Sequence, residues 1–170
     1  MKNTAYLSLG SNVGDRVANL DAAIQRLGEL GTVTARSAFY ETEPVETEEQ
    51  QAWFLNCAIA VETEITPQEF LARILAIEQA MGRKRLRPKG PRTIDIDIVL
   101  FENAVIDTPE LTVPHPAMQH RRFVLEPIVE IAGEVRHPLS KRTMRELLAA
   151  LPAAGAAVRK FQRGEGHRAD

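Results

Sequence analysis

No disulfide can form within this chain, because Cys57 is its only cysteine. A lone thiol in 170 residues fits a reducing compartment, and the cytoplasm is the expected location. Aromatic residues are scarce at 5%, which argues against a face of rings for stacking nucleic-acid bases. No apolar run is long enough to cross a bilayer, and the opening MKNTAYLSLGSN lacks the apolar stretch of a secretion signal. Neither charge is in large surplus: the formal net charge is −2, so the chain as a whole is no nucleic-acid polycation. The phosphate-cradling GxxxxGK[ST] and GxGxxG patterns are missing, as are HExxH and paired CxxC. Gly10-Ser11-Asn12-Val13-Gly14-Asp15 has neither the spacing nor the lysine of the first of these.

What remains is ordinary in bulk. Hydrophobic content of 44% and charged content of 26% suit one globular domain with its own core, expected over residues 1–152. Residues 153–170 are small and charged, and are expected to form a mobile tail.

Periodicity orders the domain. Thr4 to Leu9 reads as a strand closed by Gly10, and Val17, Leu20, Ile24, Leu27 and Leu30 mark an amphipathic helix over Asp15 to Leu30. Val33 to Tyr40 reads as a second strand, Glu41 to Gln51 as a polar acidic loop, and Phe54 to Val61 as a third strand. Pro67 suits a first helical turn, and Phe70, Leu71, Ile74, Leu75, Ile77 and Met81 carry that helix to Gly82. A strand over Arg92 to Phe101 completes the order strand, helix, strand, strand, helix, strand. That is an α+β chain of the ferredoxin-like βαββαβ kind, with an antiparallel sheet and helices packed on it. Asn103 to Ile106 offers a short hairpin strand, and extra C-terminal helices are expected near Phe123 to Ile131 and Thr143 to Leu151.

The chemistry concentrates in one stretch. Ile94, Ile96 and Ile98 alternate with Asp95 and Asp97, so a strand here puts both carboxylates side by side on one face. Aspartate is disfavoured in strands and like charges on one face repel, so a bound cation is the natural compensation. A hard divalent ion prefers carboxylate oxygen. The bland alternative is a solvated polar sheet face. Immediately upstream, six of the eleven residues from Gly82 to Arg92 are cationic. Gly82, Gly90, Pro88 and Pro91 hinge and stiffen that segment, as in a lid over a site. Arginine outnumbers lysine there, and its planar fork suits phosphate oxygens. Acidic metal ligands beside a basic loop indicate a polyphosphate substrate. His115 between two prolines and the nearby Arg121 form a second cationic cluster. Asn56, in an apolar strand, must find a hydrogen-bond partner in the core or in a ligand. An RNA-binding sheet and a metal-dependent nucleotide hydrolase are the rival readings.

Taken together, Gly10-Ser11-Asn12, Gly82-Arg83, Gly90-Pro91-Arg92-Thr93-Ile94-Asp95-Ile96-Asp97, Val113-Pro114-His115-Pro116 and Arg121-Arg122-Phe123 resemble a known family. It is the 6-hydroxymethyl-7,8-dihydropterin pyrophosphokinases of folate biosynthesis, matched in consistent order from about Ala5 to Leu151. The resemblance implies transfer of pyrophosphate from ATP to the pterin hydroxymethyl group, with release of AMP, by a monomer that binds neither nucleic acid nor membrane. It further implies that Asp95 and Asp97 hold two magnesium ions, and that Glu78, Arg85, Arg92, His115 and Arg121 bind ATP. Arg83, Arg92 and Asp97 become catalytic by the same likeness. Phe54 and Phe123 would sandwich the pterin, Asn56 would bond its edge, and Thr42 and Val45 would complete its pocket. Lys89 and Pro116 stand where several family members carry an aromatic residue.

Overall fold

The computed structural model of the protein describes residues 2–43, 53–82, 93–152 and 158–161. In chain order its first elements are β1 (Asn3–Ser11), α1 (Arg16–Leu27), β2 (Thr32–Arg36), β3 (Tyr40–Thr42), β4 (Phe54–Thr63), α2 (Pro67–Ala80) and β5 (Asp95–Phe101). Then follow β6 (Ile106–Asp107), β7 (Thr112–Val113), α3 (Arg122–Ala132), α4 (Met144–Ala149) and β8 (Val158–Lys160). The main sheet runs β5-β1-β4-β3-β8, with β2 also paired to β4, and every pairing is antiparallel. This is the expected ferredoxin-like core (β1, α1, β2, β4, α2, β5), extended by strands β3 and β8, the small β6-β7 sheet and helices α3 and α4.

Local chemistry sets the helix starts. Asp15 accepts the Ala18 N–H at 3.0 Å to begin α1, and Thr66 accepts the Glu69 N–H at 3.1 Å just before Pro67. Thr143 and Glu146 form a reciprocal capping box at α4.

The sheet's two faces are covered differently. On one, Leu7, Leu9, Cys57, Ile59, Ile96 and Ile98 pack against Leu20, Ile24 and Leu27 of α1 and Phe70 and Ile74 of α2. Burial pushes the Cys57 thiol up to about 12, so it is an inert core group at neutral pH. On the other face, Ala58, Val99 and Leu100 pack against Val124, Leu125 and Ile128 of α3 and Met144 and Leu147 of α4. Each leucine or isoleucine so buried contributes about 1.5–3 kcal/mol. A bulge allows β5 to serve both faces. Tyr6 pairs with Leu100 but Leu7 with Ile98, leaving Val99 as the extra residue and shifting the phase of the alternation.

Three expectations need correction. The single strand from Val33 to Tyr40 is two strands, β2 and β3. The break comes at Ser37, whose Oγ takes over the Ala58 N–H at 2.9 Å, while the Ala38 N–H turns to Glu130 Oε2 at 3.0 Å. Side chains thus replace ladder partners and bend the chain. The acidic loop begins later than expected, because Glu41 and Thr42 belong to β3. The expected tail is structured at residues 158–161. Val158–Lys160 adds to the sheet edge beside β3, and Phe161 is buried. The edge strand's unpaired backbone groups and an apolar slot for Phe161 supply what the tail's composition does not advertise.

Candidate active site

β-pairing aligns a row of residues across the second face. Asp95 lies opposite Gly10, Gly10 opposite Asn56, and Asn56 opposite Tyr40. The next row places Asp97 beside Ser8 and Ser8 beside Ala58. On the far side of the first row, Phe54 pairs with Thr42. The paired carboxylates and Asn56 therefore share one face, two strand spacings or about 10 Å apart. Gly10 forms the floor between them. A Cβ there would come within 2.6 Å of Asn56 Nδ2, so only glycine leaves the amide in place.

Two buried polar atoms on this face lack partners. Asn56 is buried; its Nδ2 donates to the Leu9 carbonyl at 3.4 Å, but its Oδ1 accepts nothing. Thr42 Oγ1 is likewise buried without a partner. Each such atom costs about 1–3 kcal/mol in the folded chain. A ligand with complementary donors and acceptors offsets that cost.

The wall above comes from the chain after β5. Val99, excluded from the ladder by the bulge, accepts the His115 N–H at 2.9 Å through its carbonyl oxygen. His115 Nδ1 in turn accepts the Ala117 N–H at 3.2 Å. Burial lowers the His115 pKa, Asp97 opposes that shift and Arg121 adds to it, so imidazole, carboxylate and guanidinium lie within electrostatic reach of one another. The Arg121 guanidinium sits 5.7 Å from the centroid of the Phe123 ring. The neighbouring Arg122 turns away, to Glu126 and the Pro152 carbonyl. Glu78 approaches β5 from α2: its Oε2 accepts the N–H of Ile96, the residue between the two aspartates, at 2.8 Å.

Asp95, Asp97, Asn56, Thr42 and Phe54 thus share one sheet face, His115 docks on the β5 backbone, Arg121 lies against Phe123, and Glu78 reaches β5 from α2. Val45, Arg83, Arg85, Lys89 and Arg92 lie outside the described residues. Among the described residues no group of three or more histidine, cysteine or acidic side chains is placed to hold an ion. Pattern reading missed Gly10 as floor, although a glycine ending a strand beside polar residues is itself a signal of close approach. It also missed Tyr40, whose hydroxyl donates to Glu130 of α3 at 2.6 Å and ties the sheet to the helix that carries Phe123.

A carboxylate pair with Arg121 nearby and a buried, half-satisfied amide on the same sheet suit a phosphoryl-transferring enzyme of the α+β class. Comparison with known proteins narrows that class. Residues 6–133 match the model of the 7,8-dihydro-6-hydroxymethylpterin-pyrophosphokinase (HPPK) family. A 2-amino-4-hydroxy-6-hydroxymethyldihydropteridine pyrophosphokinase of Methylorubrum extorquens is 44% identical over 153 residues, covering 89% of this chain and 95% of that protein. One from Bacillus subtilis is 47% identical over 137 residues, covering 79% and 81%. The Plasmodium falciparum HPPK-DHPS structure with pteroate shares the fold at a TM-score of 0.71 and 18% identity, over 88% of this chain and 42% of that one. The chain belongs to the HPPK family. It is therefore a diphosphotransferase with ATP as co-substrate and a hydroxymethyl pterin as acceptor. No helix among the described residues is long and apolar enough to cross a membrane.

Proposed function

We propose that the second sheet face, around Asp95, Asp97 and Asn56, is where pyrophosphate passes from ATP to 6-hydroxymethyl-7,8-dihydropterin. One observation carries this reading: β-register sets two carboxylates and a buried, half-satisfied amide on the same sheet face, with Gly10 as the floor between Asp95 and Asn56. A phosphate-bearing cation suits the first and a heteroatom-rich ring edge suits the second.

Asn56 Oδ1 would accept from the pterin edge, Thr42 and Val45 would close its pocket, and Phe54 and Phe123 would stack on its faces. Asp95 and Asp97 fit magnesium, which takes one or two carboxylates and fills its remaining positions with water and phosphate oxygen. Two such ions would neutralise triphosphate charge there. Arg121, His115 and Glu78 would contact the nucleotide from the wall and edge, joined by Arg85 and Arg92. Arg83 and Arg92, on the basic segment, would stabilise the departing AMP. A primary alcohol is a weak nucleophile, so these side chains act by positioning and charge complementarity rather than by covalent chemistry. We also place the enzyme in the cytoplasm, a reading that rests on the single buried cysteine, and take it to be a monomer by its resemblance to the family.

The test is AMP formation from ATP and magnesium with and without the hydroxymethyl dihydropterin. AMP is expected only when the pterin is present, and in equal amount to the pterin consumed. AMP formed equally without it would establish the hydrolase alternative instead.

A further inference from the structure

Five side chains on the far side of β3, Glu41, Arg16, Arg159, Trp53 and Phe161, form a cluster behind the site. Glu41 alternates with Tyr40 and Thr42, so it points away from the site into the first sheet face. There it is only 9% exposed and is held by two guanidinium groups. Arg16, the first residue of α1 and itself buried, donates from Nη2 to Glu41 Oε2 at 3.1 Å and from Nη1 to the Trp53 carbonyl at 2.8 Å. Arg159 of β8 donates from Nε and Nη2 to Glu41 Oε1, at 3.2 and 3.0 Å. The same Arg159 guanidinium lies 4.7 Å from the centre of the Trp53 ring. Phe161 completes the packing, its ring 5.6 Å from Arg16 and its N–H bonded to the Phe39 carbonyl.

These contacts grip two particular points of the chain. Glu41 directly precedes Thr42, and Trp53 directly precedes Phe54, and Thr42 and Phe54 face each other at the pterin end of the site. Arg16 and Arg159 each touch both points, so they fix the separation of the two strand ends that carry pterin-facing residues. A buried carboxylate with two guanidinium partners holds one position firmly, because moving it would leave charge uncompensated in the interior. Arg159 differs from Arg16 in lying beyond the family match, which ends at residue 133.

We propose that Arg159 is a positioning residue for the pterin: through Glu41 and Trp53, the C-terminal strand β8 sets the spacing of Thr42 and Phe54. The inference rests on the pterin site described above. Arg159 touches no reacting group, and its side chain is 67% exposed, so its removal leaves the core packing in place. What it controls is how well the ring is held.

The full chain is tested in three variants. Arg159→Ala is expected to raise KM for the pterin by about tenfold, as small displacements of positioning groups do, with KM for ATP and the saturated rate within about twofold of the parent. Arg159→Lys keeps the charge but loses the fork and the ring stack, so it should recover part of the pterin affinity. Trp53 is the sole tryptophan, so its fluorescence reports on the grip directly, and acrylamide should quench it more strongly in Arg159→Ala. An unchanged pterin KM in Arg159→Ala, or an equal rise in both KM values, overturns the inference. Asn56→Ala separates this failure from a deeper one. If its pterin KM is also unchanged, the pterin site is elsewhere and the inference falls with it.

Discussion

The two faces of one sheet share strands, alternation and backbone bonding, yet they do opposite things. The face toward α1 and α2 is closed by apolar contacts from Leu20 to Ile74. The face toward α3 and α4 has an apolar cluster of its own, but it also carries Asn56 Oδ1 and Thr42 Oγ1, both buried without partners. Stability is concentrated on the first face and unsatisfied polarity on the second. A fold keeps such unsatisfied atoms where a ligand completes them.

Five substitutions test that contrast, in falling order of effect. Asp97→Ala should lower turnover by about a thousandfold or more while leaving the thermal midpoint nearly unchanged, read by AMP release and calorimetry on the same preparation. Near-normal turnover would remove Asp97 from the site. On the closed face the pattern inverts: Ile74→Ala should cost about 2–5 kcal/mol in urea unfolding and leave both KM values alone.

Gly10→Ala tests the floor. Its Cβ would crowd Asn56 Nδ2 at 2.6 Å, so pterin KM should rise about tenfold, with a smaller loss of stability. Thr42→Val removes an orphaned hydroxyl, and should leave the unliganded protein as stable or about 1 kcal/mol more so in urea unfolding. A clear loss of stability would show that this hydroxyl is satisfied in solution.

The smallest effect is a pH slope outside the site. Burial lowers the His137 pKa, and its Nδ1 accepts the N–H groups of Leu139 and Ser140, both at 3.2 Å, as only a neutral ring nitrogen can. Because the folded value is depressed below 6.5, the unfolded chain takes up the proton first as pH falls. The contribution is thus full above that value and is lost as pH drops through the folded one. His137→Gln should flatten the fall in urea midpoint between about pH 7.5 and about pH 5.5.

The closed face was the more legible in the sequence. Spacings of three and four in α1 and α2, and the isoleucine alternation of β5, are direct consequences of backbone geometry. The site was legible where it departs from that geometry, as at Asp95 and Asp97, which interrupt an apolar strand. It was not legible where it depends on pairing between distant segments. That Gly10 lies between Asp95 and Asn56 follows from strand order, and no local window contains it. The Val99 bulge that docks His115, the Ser37 break between β2 and β3, and the return of Arg159 to Glu41 are all tertiary matches of this kind. Fragments of short β-segments carry too little pattern to announce them.

The most direct measurement is a crystal structure of the protein with magnesium, a non-hydrolysable ATP analogue and the hydroxymethyl pterin. The expected result is metal bound by the Asp95 and Asp97 carboxylates together with phosphate oxygens, and the pterin edge within hydrogen-bond distance of Asn56 Oδ1. Nucleotide and metal bound away from those carboxylates, with Asn56 still unpaired, would contradict it.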